Sequence, residues 1–170
     1  MDFMKLAAER YSVRKFDERP VEQEKIDIIL EAAKLAPTAH NNQPQKIFVL
    51  KSDEAKEKIK KCTQCHFNAP LYFLICYDKD LQWKRDYDGM VSGDIDTGIV
   101  GTHMMMAAWE LGIGSCWVAF FDPAAVVKEF NLPENLIPAT LFPMGYAAES
   151  AHPAKLHDIF RDDSELVEYM

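Results

Sequence analysis

The sequence has no long hydrophobic run and little cysteine. Its first residues, MDFMKLAAER, lack the continuous apolar segment of a signal peptide, and no stretch approaches the roughly 18 uninterrupted apolar residues of a membrane span. The chain of 170 residues contains four cysteines, which are too few for a disulfide framework at this length. These absences predict a cytoplasmic protein with reduced thiols and no membrane contact.

Positive charge is also in short supply. The chain has 19 Lys and Arg residues against 27 Asp and Glu residues, which gives a formal net charge of -8 at pH 7. The densest basic run, residues 58–61, lies in a Lys/Glu-rich stretch that is typical of the solvated face of a helix. An acidic surface repels phosphate backbones and anionic lipids, so the sequence predicts that the protein does not bind nucleic acid.

Common cofactor and metal motifs are absent as well. Residues 112–117, GIGSCW, do not form a dinucleotide-binding fingerprint, because the sixth position is tryptophan and a strand rather than a helix follows. Cys62 and Cys65 would need two further ligands to hold zinc, and the other two cysteines fall inside apparent buried strands. The sequence predicts no metal site, with dithiol redox chemistry at Cys62 and Cys65 as a minor alternative.

Periodic apolar residues, caps and turn signals predict helices that alternate with strands. An amphipathic helix fills the interval between Pro20 and Pro37, and Asp122 caps a further helix that begins at Pro123. Helices are also predicted over 53–61 and 94–111, and strands over 47–50, 71–77, 115–121 and 138–146. Helices interleaved with about four strands indicate a single layered domain over residues 1–170, of the α+β or α/β class.

Three segments have apolar residues that need partners. The helix over 94–111 has a wider apolar surface than one face requires, so it is predicted to be buried or to lie at a subunit interface, with His103 as a core histidine. The strand over 71–77 is apolar throughout and is predicted to be central. The tail over 149–170 is polar apart from a few apolar residues, which need a surface to pack on.

Two short polar segments have the chemistry of a ligand site. Arg10, Ser12, Arg14 and Lys15 concentrate positive charge and a hydroxyl group within six residues, a set of donors that fits phosphate oxygens. The loop 38–43 places hydroxyl and amide groups beside a strand, which suits hydrogen bonds to a heterocycle. On the residues alone, a solvated turn and an ordinary Asn-rich loop remain open alternatives.

Four segments occur in the order and at the spacing of the nitroreductase family: ERYSVRKF, APTAHNNQPQ, ELGIGSCWVAFFDP and LFPMGYAAES. The chain resembles that family over nearly its whole length. The resemblance implies an α+β, nitroreductase-like fold with a central, mostly antiparallel sheet flanked by helices. It also implies a homodimer with an exchanged C-terminal tail and one FMN in each of two clefts built from both subunits.

The resemblance further implies which residues hold FMN. Those expected at the phosphate and the polar edge of the ring are Arg10, Tyr11, Ser12 and Arg14, joined by one of the tail residues Lys155, His157 or Arg161. Those expected along the flavin are Pro37, Thr38, Ala39, Asn41 and Gln43, one or more of them from the neighbouring subunit, together with Trp117, Val118, Ala119 and Phe120. No side chain is expected to be catalytic, because the chemistry takes place at flavin N5.

The activity that the resemblance implies is that of an FMN-dependent oxidoreductase. Electrons would pass from NADH or NADPH to a nitroaromatic, quinone or similar acceptor by a ping-pong mechanism; the alternative is a non-catalytic flavin-binding or sensing protein of the same fold. Many relatives carry Glu-Gly where this chain has Ala119 and Phe120, which predicts a different acceptor preference. Cys62 and Cys65 fall in a stretch that in some relatives contacts the pyrimidine ring.

Overall fold

The computed structural model describes residues 2–170, and its elements follow the predicted order. The helices are α1 (Phe3–Glu9), α2 (Gln23–Leu35), α3 (Asp53–Cys62), α4 (Gly93–Glu110), α5 (Pro123–Phe130) and α6 (Asp163–Leu166). The strands are β1 (Gln45–Leu50), β2 (Leu71–Asp78), β3 (Gly114–Ser115) and β4 (Leu136–Gly145), and a 3-10 turn spans Ala39–Asn41. Within residues 2–170, no helix is long and apolar enough to cross a membrane.

The four strands form one antiparallel sheet in the order β1-β2-β4-β3. β2 lies inside the sheet, where Ile75 stands opposite Ile47 of β1 and Phe73 stands opposite Phe142 of β4. Seven of the eight residues of β2 are buried. The prediction of a central strand over 71–77 is therefore confirmed, and the fold is of the α+β class.

Helices cover both faces of this sheet. Side chains alternate along β2, so that Phe73 and Ile75 pack in one cluster while Leu74 and Cys76 pack in another. The helical members of the first cluster include Ile26, Ile29, Val100 and Met104, and those of the second include Ile59 and Val126. Helices α2 and α4 therefore lie on one face and α3 and α5 on the other. Burial on both faces explains why the sequence of β2 is uninterruptedly apolar.

The strand predicted over 115–121 is wrong in extent. Regular pairing stops after Ser115, although the chain continues beside β4. Cys116 donates its backbone N–H to the carbonyl oxygen of Pro143 at 3.2 Å, and a proline has no N–H to donate in return. The ladder is broken at this point, and only an isolated bridge at Val118 follows.

Helix α4 has one buried side and one exposed side. Val100 and Met104 are fully buried, whereas Ile95 on the opposite side is 53% exposed. His103 is exposed too, with Nδ1 3.0 Å from the carbonyl oxygen of Ile99. The prediction of a core histidine is wrong, because the helical period turns position 103 away from the sheet.

The start of α5 is capped as predicted. Asp122 Oδ1 accepts the backbone N–H groups of Ala124 at 2.9 Å and Ala125 at 3.1 Å, and Pro123 occupies the first helical position. The backbone N–H of Asp122 donates to the carbonyl oxygen of Cys62 at 2.8 Å. This bond ties α5 to the end of α3 and so fixes the end of the 116–121 segment.

Candidate functional site

The segment that follows α1 is extended and lies beside the sheet. Helix α1 ends at Arg10, whose ψ of 131° turns the chain out of the helix. Val13 donates its backbone N–H to the carbonyl oxygen of Ser115 at 2.9 Å, and Ala148 donates to the carbonyl oxygen of Lys15 at 3.0 Å. The segment 10–17 is therefore held between β3 and the chain that leaves β4.

This segment presents the predicted phosphate-binding residues. Val13 is fully buried, while Ser12 is half-buried and Arg14 is exposed, as expected when side chains alternate along an extended chain. Ser12, Arg14 and Lys15 line a cavity of about 210 Å³ whose opposite wall is the chain at 150–154. Within residues 2–170, none of the cations at positions 10, 14 and 15 forms an ion pair, although Arg14 Nη1 donates to the carbonyl oxygen of Ser12 at 3.2 Å. Their charge is therefore free to meet an anion.

The cationic cluster, formed by Arg10, Arg14 and Lys15, lies near the 116–119 segment. Burial raises the pKa of the Cys116 thiol, while a hydrogen bond from Ser12 and the charges of Arg14 and Arg10 act in the opposite direction. Ser12 also forms an isolated parallel bridge with Ser115, so the segment that carries both arginines lies beside the start of the segment that carries Trp117. The structure therefore brings the predicted phosphate residues and the 116–119 segment together.

Trp117 and Val118 differ in their side-chain packing and in their backbone hydrogen bonds. The Trp117 ring packs edge-on against Phe142, with centroids 4.9 Å apart, and lies over Gly101, where an added Cβ would stand 2.8 Å from it. Val118 is buried, and its backbone N–H already donates to the carbonyl oxygen of Leu141 at 2.9 Å. Trp117 and residues 119–120 are exposed, and their backbone N–H groups remain candidates for a ligand contact.

The turn after α3 packs against the same segment. Thr63 donates its hydroxyl to the carbonyl oxygen of Phe120, and its Oγ1 accepts the backbone N–H of Cys65 at 3.0 Å. Cys62 is buried and donates its thiol to the carbonyl oxygen of Lys58 at 3.2 Å. Burial raises the pKa of the Cys62 thiol. Cys65 is only half-buried, so the two thiols have different surroundings.

The loop 38–43 has an unusual backbone. His40, Asn41 and Gln43 have φ angles of 52°, 56° and 49°, a left-handed conformation that costs non-glycine residues free energy. Two bonds within the loop compensate: Gln43 donates its backbone N–H to Thr38 Oγ1 at 3.0 Å, and its Nε2 donates to Asn41 Oδ1 at 3.1 Å. A chain held in a costly conformation next to a predicted ligand is consistent with a binding loop.

A residue that the sequence analysis did not identify holds this loop in place. Asp96 is 1% exposed, and its Oδ1 accepts the backbone N–H of Ala39 at 2.9 Å. Its Oδ2 accepts the hydroxyl of Ser92 at 2.7 Å. The signal in the sequence is an acidic residue in the first turn of α4, but Asp94 lies in the same turn, and either position also suits a residue that only favours the helix dipole.

The predicted residues form two groups at opposite ends of α4. The loop 38–43 is bonded to Asp96 near the N-terminal end, whereas the Tyr11 ring packs edge-on against Trp109 near the C-terminal end, with centroids 5.2 Å apart. Positions 96 and 109 are about 20 Å apart along a helix that rises about 1.5 Å per residue. A single chain therefore does not bring loop 38–43 together with the segment around Tyr11.

The tail, residues 149–170, runs next to the 10–14 segment at His157 and is exposed beyond it. The His157 ring lies 6.4 Å from that of Tyr11, edge to face, so the chain at this point is next to the 10–14 segment. Lys155 is exposed, and Arg161 is exposed and pairs with Glu165 at 2.8 Å. Of the three predicted tail residues, His157 is therefore the one that contacts the segment within the chain. The apolar tail residues Leu156, Ile159, Phe160, Leu166 and Val167 are all at least 54% exposed.

Comparison with known proteins places this geometry in a family. The model of the Nitroreductase family matches residues 7–70 and 66–146. The crystal structure of a nitroreductase family protein from Clostridium difficile 630 has a TM-score of 0.94 and 42% identity, and the match covers 99% of this chain and 98% of that one. A nitroreductase family protein from Clostridium novyi NT has a TM-score of 0.77 and 27% identity, covering 88% and 87%.

A curated relative carries a name for an activity. The protein called FMN reductase (NAD(P)H) from Bacillus subtilis (strain 168) is 24% identical in an alignment of 166 positions that covers 87% of this chain and 67% of the relative. The family match covers most of the chain, and the fold agrees over nearly its full length. The chain belongs to the nitroreductase family.

Proposed function

We propose that this protein is an FMN-dependent oxidoreductase that takes electrons from NADH or NADPH and passes them to a nitroaromatic, quinone or similar organic acceptor. The observation that carries the proposal is the strip of Arg10, Ser12 and Arg14 on a protein of net charge -8: its two arginines form no ion pair within residues 2–170, and Ser12 and Arg14 line a cavity. The FMN reductase name of the Bacillus subtilis relative supports it.

The donors of the strip fit the phosphate of FMN. The planar guanidinium groups of Arg10 and Arg14 offer paired N–H donors to phosphate oxygens, and Ser12 supplies a short donor between them. Lys15 lines the same cavity and adds a further positive charge. Loop 38–43 carries hydroxyl and amide groups that match the alternating donors and acceptors of the flavin pyrimidine ring.

A second copy of the chain completes the site in this proposal. Within one chain, loop 38–43 and the Tyr11 segment lie near opposite ends of α4, too far apart for a single cofactor whose ring and phosphate are joined by a ribityl chain. We infer that loop 38–43 of one protomer lies next to Arg10, Ser12 and Arg14 of the other protomer. The exposed apolar residues of α4 and of the tail supply surface for the dimer, with the tail exchanged between protomers.

The protein has a limited chemical task in this scheme. Bound FMN would supply the redox chemistry, with the reduced nicotinamide as hydride donor and the organic molecule as acceptor. Arg10 and Arg14 would bind the phosphate, Trp117 would limit access to the flavin, and the backbone at residues 119–120 would offer N–H groups to it. One cleft serves both substrates in turn, which is the ping-pong order, and no side chain needs to act as a general acid.

The visible spectrum of the purified protein tests the proposal. We expect flavin absorption bands after incubation with FMN and their loss on anaerobic addition of NADH or NADPH. Bands that persist with both nucleotides would favour a non-catalytic flavin-binding or sensing protein. Absence of flavin bands after reconstitution would overturn the assignment of FMN.

A further inference from the structure

The Asp96 carboxylate links two segments that are separated in the sequence. One carboxylate oxygen accepts the backbone N–H of Ala39 from loop 38–43 at 2.9 Å, and the other accepts the Ser92 hydroxyl at 2.7 Å. Ser92 Oγ in turn accepts the backbone N–H of Trp83 at 3.1 Å, and the backbone N–H of Ser92 donates to the Trp83 carbonyl oxygen at 2.9 Å. A single buried carboxylate therefore links loop 38–43 to the segment 79–92.

The two linked segments also touch through their side chains. The His40 imidazole stacks on the Trp83 indole with centroids 5.7 Å apart and an interplanar angle of 21°. Asn42 Nδ2 donates to the carbonyl oxygen of Leu81 at 3.0 Å. His40 is exposed while Trp83 is half-buried, so the imidazole covers the indole and its outer face is open.

The carboxylate has a rigid support. A Cβ added to Gly93 at the start of α4 would stand 2.4 Å from the Tyr77 ring, so the helix packs closely against β2 at this point. The backbone N–H of Asp96 donates to the carbonyl oxygen of Ser92 at 2.8 Å in the first turn. A negative charge is favoured there by the helix dipole, and both side-chain bonds use the carboxylate as an acceptor.

We propose that Asp96 is a positioning residue that holds loop 38–43 and segment 79–92 in a fixed relative position. The stacked rings of His40 and Trp83 then form a wall of the acceptor pocket. The inference rests on the proposed function, because loop 38–43 lies along the flavin only in that scheme. The wall suits a planar, electron-poor ring such as a nitroaromatic, since aromatic rings stack favourably when their quadrupoles differ. Acceptor affinity, and not hydride chemistry, depends on this wall.

Amide hydrogen exchange of the FMN-bound protein tests the positioning role. Asp96→Ala removes both acceptor oxygens and should speed exchange in 38–43 and in 79–92. Ser92→Ala removes only the hydrogen-bonded link to Trp83 and should speed exchange in 79–92 alone. Thr97→Ala is the matched control, because Thr97 is equally buried but its hydroxyl bonds only to Gly93 and Asp94 within α4. Faster exchange at both segments in the control, or none in Asp96→Ala, would overturn the proposal.

A second variant covers the case in which Asp96→Ala fails to fold. In Asp96→Asn the amide oxygen can still accept and the amide nitrogen can donate to the Ser92 hydroxyl, so two charge-assisted bonds become weaker neutral ones and exchange should be moderately faster in both segments. Unchanged exchange in both segments would count against the proposal. Because this readout needs no turnover, it stands apart from the spectrum that tests the FMN assignment.

Steady-state kinetics tests the wall itself. Trp83→Leu should raise the KM for nitrobenzene by about threefold to tenfold, as expected for loss of an aromatic contact, with kcat changed less than about twofold. The KM for ferricyanide, which is not a planar ring, should stay the same. Equal changes for both acceptors, or a fall in kcat with KM unchanged, would refute the wall. A wild-type protein that binds no flavin would instead refute the proposed function.

Discussion

Val13 lies so close to Gly114 that a Cβ added to the glycine would stand 2.6 Å from Cγ2 of the valine. Val13 is fully buried, and its backbone N–H is bonded to Ser115, the residue after Gly114. This contact determines how near the 10–17 segment lies to β3. Only a residue without a side chain at position 114 permits that approach.

Gly114→Ala should therefore lower the free energy of unfolding and displace the 10–17 segment, which carries Arg10 and Arg14. Overpacking of this kind costs on the order of 1–3 kcal/mol, which urea unfolding would measure. Val13→Ala completes a double-mutant cycle, because it removes the Cγ contact at 2.6 Å and leaves only the Cβ contact at 2.9 Å, which should make the second substitution less costly. Additive losses in the double variant would show that the two side chains do not determine the spacing.

Arg14→Ala should weaken FMN binding. A hydrogen bond that involves a charged group contributes about 1.5–3 kcal/mol, so Kd should rise by roughly 10-fold to 100-fold in a fluorescence titration with FMN. Arg14→Lys should lose less, since it keeps the charge but not the paired donors. Arg19→Ala is the control, because Arg19 already pairs with Asp17 at 3.2 Å. Equal effects at positions 14 and 19 would contradict a specific phosphate site.

Ile95→Glu should break the proposed dimer. Ile95 is 53% exposed on the outer side of α4, and a buried charge at an apolar interface is strongly unfavourable. We expect a shift towards monomer in sedimentation velocity, with loss of FMN because each site needs two chains. Ala124→Glu adds the same charge at an exposed position of α5 and should leave the assembly intact. A wild-type protein that is monomeric with FMN bound would disprove the shared site.

Stability should fall at alkaline pH. Burial raises the pKa of the Cys76 thiol from 9.0 to about 12 and that of the Tyr72 hydroxyl from 10.0 to about 12. Below pH 9 both groups are protonated in the folded and unfolded states and contribute no pH dependence. Between about pH 9 and 12 only the unfolded state releases the protons, so the free energy of unfolding decreases as pH rises.

Urea unfolding under reducing conditions from pH 7 to pH 11 would measure this decrease. Cys76→Ala should make the decrease between about pH 9 and pH 10 smaller without abolishing it, because burial also raises the pKa of the Cys62 and Cys116 thiols. The control is the same series in Cys65→Ala, since Cys65 is only half-buried. A free energy of unfolding that stays constant up to pH 11 would show that these two groups are not protected in the folded state.

The order of the helices and strands and the family followed from the sequence, because local signals are strong there. Burial on both faces made β2 apolar throughout, and Asp122 before Pro123 marked the start of α5. The strand over 115–121 was overextended, since the interruption comes from Pro143 on another strand. Residue types along one segment do not reveal which partner lacks a donor.

The sequence by itself determined which residues have the chemistry to bind a phosphate and a heterocycle: two arginines around a serine, and a loop of short polar side chains. Only the tertiary structure decided where they lie. Backbone bonds to β3 place the strip around Arg14 at one end of α4, and the Asp96 carboxylate holds Ala39 near the other. Such placement depends on contacts between residues distant in the chain, which helical and strand periodicity do not encode.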